Sequence, residues 1–134
     1  MFKAEGVKER GENGFVVFNG PDEQFVSGRA IGADGGIGGT YAVMPELFVK
    51  MDQLIRENNI AEAMKIQYKA DAIIYKMCSA HGNMYGVIKE ILKRNENLEL
   101  GGVREPLPSL IDSDMPIVEE AARMICEAKE KYLA

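Results

Sequence analysis

Phe15-Val16-Val17-Phe18-Asn19-Gly20-Pro21-Asp22-Glu23-Gln24-Phe25-Val26-Ser27-Gly28-Arg29-Ala30-Ile31-Gly32-Ala33-Asp34-Gly35-Gly36-Ile37-Gly38-Gly39-Thr40-Tyr41 is the stretch whose reading decides the fold. Phe15 to Phe18 is apolar without alternation, the pattern of a strand covered on both faces in a parallel sheet, and Asn19-Gly20-Pro21 stops it. Asp22 and Glu23 then open a segment in which Phe25, Val26, Ala30 and Ala33 recur near helical spacing, with Gly32 near its end. From Ala33 to Tyr41 glycines surround Ile37. That density is wrong for an ordinary strand and fits a short inner strand approached closely by a ligand or another backbone. Pro45 then starts a helix, so the stretch contains two successive strand-then-helix units.

Helices dominate the rest of the chain. Met44 to Asn58 places Leu47, Phe48, Met51, Leu54 and Ile55 on one helical face, and Asn58-Asn59 makes a short turn to the next helix. Ala61 to Ala80 repeats the pattern with Ala63, Ile66, Ala70, Ile73, Ile74 and Met77, and Gly82 ends it. Met84, Val87, Ile88, Ile91 and Leu92 mark a shorter helix, and Asn95 to Leu110, with its glycines and prolines, is an ordered loop. Asp114 caps the last helix, whose stripe is Ile117, Ala121, Ile125, Ala128 and Tyr132. Upstream of the strand, Phe2 to Arg10 reads as the last turns of a helix before a Gly11-Glu12-Asn13-Gly14 turn.

Composition narrows the function. The chain has 134 residues, 46% of them hydrophobic and 28% charged, which suits one globular domain with a core. A net charge of −5 leaves no basic footprint, so neither nucleic acid nor an anionic membrane is an expected partner. Cys78 and Cys126 stand far apart and the chain has one histidine, which argues against a metal site and for free thiols in a reducing, cytoplasmic setting. No apolar run approaches the ~18 residues that span a bilayer. His81 beside Gly82 reads as a solvated or capping residue, and the methionines at helical spacing, Met51, Met77 and Met84, as core or interface filler, with Met84 near a pocket mouth. The glycine run lacks the spacing of a phosphate loop. Two parallel strands do not make a stable sheet. Either the chain is part of a larger barrel, or another copy or subunit covers its strand edges.

The runs Phe18-Asn19-Gly20-Pro21-Asp22-Glu23, Gly32 to Tyr41 and Val103-Arg104-Glu105-Pro106-Leu107-Pro108 together resemble the C-terminal part of the N-acetylneuraminate lyase and dihydrodipicolinate synthase family, over nearly the whole chain. The turn and glycine-rich strand look closest to the N-acetylneuraminate lyase branch. This resemblance implies an α/β fold, the last two strand-helix units of a (β/α)8 TIM barrel plus C-terminal helices. Residues 1–134 would form one partial-barrel domain, with 1–43 as its strand-helix-strand part and 44–134 as its helical part. A full barrel needs about 250 residues. The implied activity is a class I, Schiff-base aldolase reaction that cleaves N-acetylneuraminate to N-acetylmannosamine and pyruvate.

The same resemblance implies that the catalytic lysine, its assisting tyrosine and the Gly-Thr-Thr/Ser carboxylate-binding motif come from earlier strands. Lys3 and Lys8 sit in the charged segment rather than at the end of an apolar strand, so this chain supplies no catalytic residue, and neither metal nor cofactor is implied. By the same likeness, the substrate-binding positions are Gly20 through its backbone, Asp22 and Glu23 through their carboxylates, and Ile37, Gly38 and Gly39 through main-chain groups. Gly39 stands where some lyases carry a serine that reaches the substrate. Read without the resemblance, Asp22 and Glu23 equally suit the first turn of a helix, where acids complement the dipole. Carboxylates that accept hydrogen bonds from several hydroxyls, on a loop following a barrel strand, suit a sugar-acid or 2-oxo acid substrate. The expected partners beyond substrate are a second copy in a homo-oligomer or an N-terminal half-barrel chain. Three alternatives stay open: a dihydrodipicolinate synthase-like fragment, another 2-oxo acid aldolase fragment, or a non-catalytic structural or ligand-binding module.

Overall fold

The computed structural model describes residues 16–133. The expected helical turns at Phe2 to Arg10, the Gly11 to Gly14 turn, the strand's first residue Phe15, and Lys3 and Lys8 lie outside the described residues. The described chain begins with strand β1 (Phe18–Asn19), parallel to β2 (Gly35–Gly36) in the register Phe18 to Gly35 and Asn19 to Gly36. Backbone bonds from Asp34 N to Val17 O (2.7 Å) and from Ile37 N to Asn19 O (3.0 Å) carry the pairing past both ends. A 3-10 turn, Asp22–Gln24, leads into helix α1 (Phe25–Ala30), which crosses from one strand to the other. Gly32 stops α1 with φ of +100°, a conformation that costs glycine little.

Side chains come close to the glycines of β2. A Cβ on Gly35 would lie 3.2 Å from the Phe18 ring, and one on Gly36 would lie 2.4 Å from the Tyr41 hydroxyl and under 3 Å from the Phe25 ring. Tyr41, on the 3-10 turn Thr40–Ala42, stacks with Phe25 and Phe48 at centroid distances of 6.1 and 3.9 Å. Bare backbone at Gly36 lets this aromatic group close over the sheet. The strands are covered on one face only: Phe18 is 57% exposed, and Val16 and Ile37 are also largely in solvent. Full coverage of the kind expected from the apolar run requires structure beyond these two strands.

Below the sheet unit lies a helical layer of α2 (Pro45–Arg56), α3 (Ile60–Cys78), α4 (Met84–Glu96) and α5 (Met115–Leu133). Helix α3 is its centre, packing against α2 on one side and α5 on the other. Its apolar positions Ala63, Ile66, Ala70, Ile73, Ile74 and Met77 are all buried, as the periodicity requires. Asn58, at φ of 59°, takes the left-handed position that a two-residue helix-to-helix turn needs and that asparagine tolerates. Asn83 caps α4 by accepting from Tyr85 N at 2.9 Å. On α5 the buried stripe is Val118, Ala121, Ala122, Ile125 and Ala128, while Ile117 and Tyr132 lie at its half-buried margins.

Three boundaries differ from the sequence reading. Helix α3 ends at Cys78, not Gly82; Gly82 is kept small because a Cβ there would lie 2.8 Å from Leu110 Cα, where the long loop crosses. Helix α4 runs on through Asn95 to Glu96, and Asn97 at φ of 55° turns the chain out of it. Asp114 is not a simple cap. Its buried carboxylate, 0% exposed, accepts from the backbone of His81 (2.8 Å), Gly82 (3.1 Å) and Ile111 (3.1 Å), and the His81 ring Nδ1 lies 3.2 Å away. One side chain thus fastens the turn between α3 and α4 to the start of α5.

Burial alone would raise the Asp114 carboxyl, but the amides of His81, Ile111 and Gly82, with the His81 ring, outweigh it and hold it at about 2, against an ordinary 3.8. A carboxyl depressed on folding stabilises fully above its ordinary value and loses that contribution as pH falls through the folded one, here between about pH 4 and pH 2. Asp114→Asn should therefore lower the melting temperature at neutral pH and flatten the acid loss of stability in that window. Thermal unfolding followed from pH 7 to pH 2 checks this, and parallel curves for parent and variant would contradict it.

Candidate functional site

The loops that leave β1 and β2 at their C-terminal ends close on each other. Asp22, 7% exposed, turns its Oδ2 away from solvent and accepts from the Thr40 amide (2.9 Å) and the Thr40 hydroxyl (2.5 Å). Its carbonyl is bound separately, accepting from Gln67 Nε2 at 3.0 Å. Gln67, on α3 and 2% exposed, also donates to Asp71 Oδ1 (2.8 Å) and accepts from Val26 N (3.0 Å). The Asp22–Gln24 turn is thereby held from the glycine-rich loop and from the helical layer at once.

Around this turn lies a cavity of about 350 Å³. Gly20, Asp22 and Glu23 line it from the first loop, and Gly38, Gly39 and Thr40 from the second. The opposite wall is Ile74 and Cys78 at the end of α3 and Met84 and Tyr85 at the start of α4. The thiol of Cys78 lies 3.6 Å from the Met84 sulfur. Five of the six positions carried over from the resemblance therefore border one space. Ile37 does not: its side chain is 68% exposed and its amide is used in the sheet, donating to Asn19 O.

The two acids divide their tasks. Asp22 spends one oxygen on Thr40, and its Oδ1 occupies the space where a Cβ of Gly38 would stand, 1.5 Å away. Glu23 is exposed and has no hydrogen-bond or ion-pair partner among the described residues. Its charge is nevertheless felt. Burial pushes up both the Asp71 carboxyl and the Cys78 thiol, and Glu23 pushes each further; for Asp71 the bond from Gln67 opposes the rise. Burial and then the nearby Asp22 charge push the Tyr41 hydroxyl up to about 12, and that hydroxyl is buried with no hydrogen-bond partner among the described residues. The cavity is lined by acceptors, glycine backbone and an aromatic edge, with a negative local field. Such a site suits a neutral group rich in hydroxyls better than a phosphate.

Sequence reading gave Gln67, Tyr85, Thr40 and Cys78 no place in the site. Tyr85 packs on Gly39, where a Cβ would lie 2.8 Å from the Tyr85 ring. The only available signal was a polar residue inside the apolar stripe of α3 at Gln67.

The residue pattern matches the Dihydrodipicolinate synthetase family over residues 1–125. The chain is 67% identical to an N-acetylneuraminate lyase of Mediterraneibacter gnavus over 133 residues, covering 99% of this chain and 41% of that protein. The Ruminococcus gnavus sialic acid aldolase superimposes on it with a TM-score of 0.95 at 61% identity, over 98% of this chain and 44% of the other. A catalytic lysine mutant of that aldolase gives a TM-score of 0.90 at 63% identity, covering 94% of this chain and 41% of the mutant. An N-acetylneuraminate lyase from Fusobacterium nucleatum complexed with pyruvate gives 0.74 at 27% identity, over 100% and 42% of the two chains. The chain thus spans about two fifths of the length of the relatives it matches. Its fold is the C-terminal part of a TIM barrel with additional helices.

The three glycines of the cavity differ in what they tolerate. Gly38→Ala must drive Asp22 off Thr40 and should cost about 1–3 kcal/mol of stability. Gly39→Ala meets only the edge of an exposed tyrosine ring that can swing aside, and Gly20→Ala meets nothing within 4 Å, so both should stay within about 1 kcal/mol of the parent. Denaturant midpoints of the three variants test the order; a Gly38 variant as stable as the Gly20 variant would refute it.

Proposed function

Because this chain belongs to the dihydrodipicolinate synthetase family, we propose that it is the C-terminal portion of a class I aldolase of the N-acetylneuraminate lyase type. The observation that carries the reading is the cavity at the strand ends, where backbone at Gly20 and Gly38 and the unpaired carboxylate of Glu23 converge beside Tyr85. In such a barrel, a lysine amine condenses with the C2 carbonyl of the sugar acid, losing water. The C4 hydroxyl gives up its proton, the C3–C4 bond breaks, and the iminium receives the electron pair as an enamine. Protonation and hydrolysis of that enamine release pyruvate and leave N-acetylmannosamine.

In this reading the chain's residues act on the hydroxylated tail. Glu23 accepts from tail hydroxyls, Gly20 and Gly38 offer main-chain groups, and Asp22 keeps both loops at the right separation. Ile37 serves through the sheet. Residues 1–43 and 44–134 form one partial-barrel domain, and the lysine comes from the preceding strands of the barrel. The negative field around Glu23 supports a neutral polyol tail, and the open strand edges support completion of the barrel by further sequence or a partner, in an oligomer working in the cytoplasm.

Treating the 134-residue chain with pyruvate and borohydride and weighing it intact should give no stoichiometric adduct. Adding a lysine-bearing N-terminal part should place the adduct on that part. In the completed barrel, Glu23→Ala should lower kcat/KM for N-acetylneuraminate by the equivalent of about 1.5–3 kcal/mol while pyruvate still forms its adduct. An adduct with turnover on a lysine of this chain alone, or equal loss for both ligands, would overturn the assignment.

A further inference from the structure

Gln67 is a buried amide whose three hydrogen bonds serve one purpose. Its Nε2 donates to Asp22 O at 3.0 Å and to Asp71 Oδ1 at 2.8 Å, and its Oε1 accepts from Val26 N at 3.0 Å. These partners bracket the 3-10 turn on which Glu23 stands, and the turn has no side-chain cap of its own. Thr40 fixes the Asp22 side chain, while the backbone on the far side of Glu23 is reached from helix α3, through Gln67 and Val26 N. Backbone bonds from Gln24 N to Pro21 O and from Phe25 N to Asp22 O close the turn on itself, and Gln67, 45 residues from Asp22 in sequence, ties it to helix α3.

We propose that Gln67 is a positioning residue for the tail of the substrate: it sets where Glu23 presents its carboxylate in the cavity and couples that placement to helix α3, whose end carries Ile74 and Cys78 into the same wall. The inference rests on the aldolase reading above. It adds that specificity for the hydroxylated tail is set from the helical layer, by a residue that touches no substrate atom. A glutamine suits this place because one amide both donates and accepts. A carboxylate could accept from Val26 N but would face Asp22 O and the Asp71 carboxylate, with Glu23 nearby, unless it were protonated.

The test uses the completed barrel, with N-acetylneuraminate and pyruvate as the two probes. Gln67→Leu should raise KM for N-acetylneuraminate about tenfold while the rate of borohydride-trapped pyruvate adduct stays within about twofold of the parent. Gln67→Glu keeps the acceptor and lacks the donor at neutral pH; the ratio of its KM to the parent's should shrink as the pH falls from about 8 toward 5.5, where a protonated carboxyl can donate to Asp22 O. Equal losses for both probes, an unchanged KM in Gln67→Leu, or a pH-independent ratio in Gln67→Glu would each overturn the proposal while leaving the aldolase reading intact. A parent barrel that forms no pyruvate adduct or does not turn over N-acetylneuraminate would remove both.

Discussion

The bond between the Asp22 carboxylate and Thr40 is the contact on which the sheet end of this molecule depends. Two strands of two paired residues each cannot hold their loops by ladder bonds alone. Asp22 replaces the missing order. It accepts from the amide and hydroxyl of Thr40, fills the space that Gly38 vacates, and shares its carbonyl between Phe25 N and Gln67 Nε2. Each demand restricts another residue: glycine at 38, a hydroxyl at 40, an amide at 67. A buried carboxylate without these donors would be strongly unfavourable, so the loops must close in one arrangement or not at all.

The same economy governs the aromatic group over the sheet. Gly36 has no side chain because the Tyr41 hydroxyl and the Phe25 ring occupy its Cβ position, and Phe48 closes the cluster from α2 at 5.5 Å from Phe25. Tyr41 accepts an unpaired hydroxyl as the cost of that packing. Among the described residues the sheet has two strands. Phe18, Ile37 and Val49 are exposed, and the relatives are more than twice as long as this chain.

The helices were legible because burial on one face imposes a 3.6-residue period, and α2 and α3 bury nearly every position that the period marks. The family was legible from three short runs, because tight turns and glycine strands leave few allowed residues. The reason for the glycines was not. Sequence spacing says that something comes close to Gly35 and Gly36, but whether it is ligand, backbone or ring depends on how Phe18, Phe25 and Tyr41 fold back. Asp22 and Glu23 were likewise inseparable in sequence. Adjacent carboxylates on a 3-10 turn point in different directions, and only the position of Thr40 decides which one is consumed. Gln67 hid for a related reason: a period of apolar residues reports the face of a helix and is silent about a polar residue seated within it.

Consumption of one carboxylate and exposure of the other also explains the electrostatics of the cavity. With Asp22 satisfied by two donors from Thr40, Glu23 is left as the charge that reaches outward, and its field is registered by Asp71 and Cys78, both already pushed up by burial. An anion entering between Glu23 and Tyr85 would meet that field with no lysine or arginine among the described residues of the wall to offset it. A hydroxylated chain meets the reverse situation, since the Glu23 carboxylate can accept its protons and the open space at Gly20 lets it approach closely. The division of labour between two neighbouring acids, imposed by a single threonine, is what turns a structural turn into a surface with chemical preference.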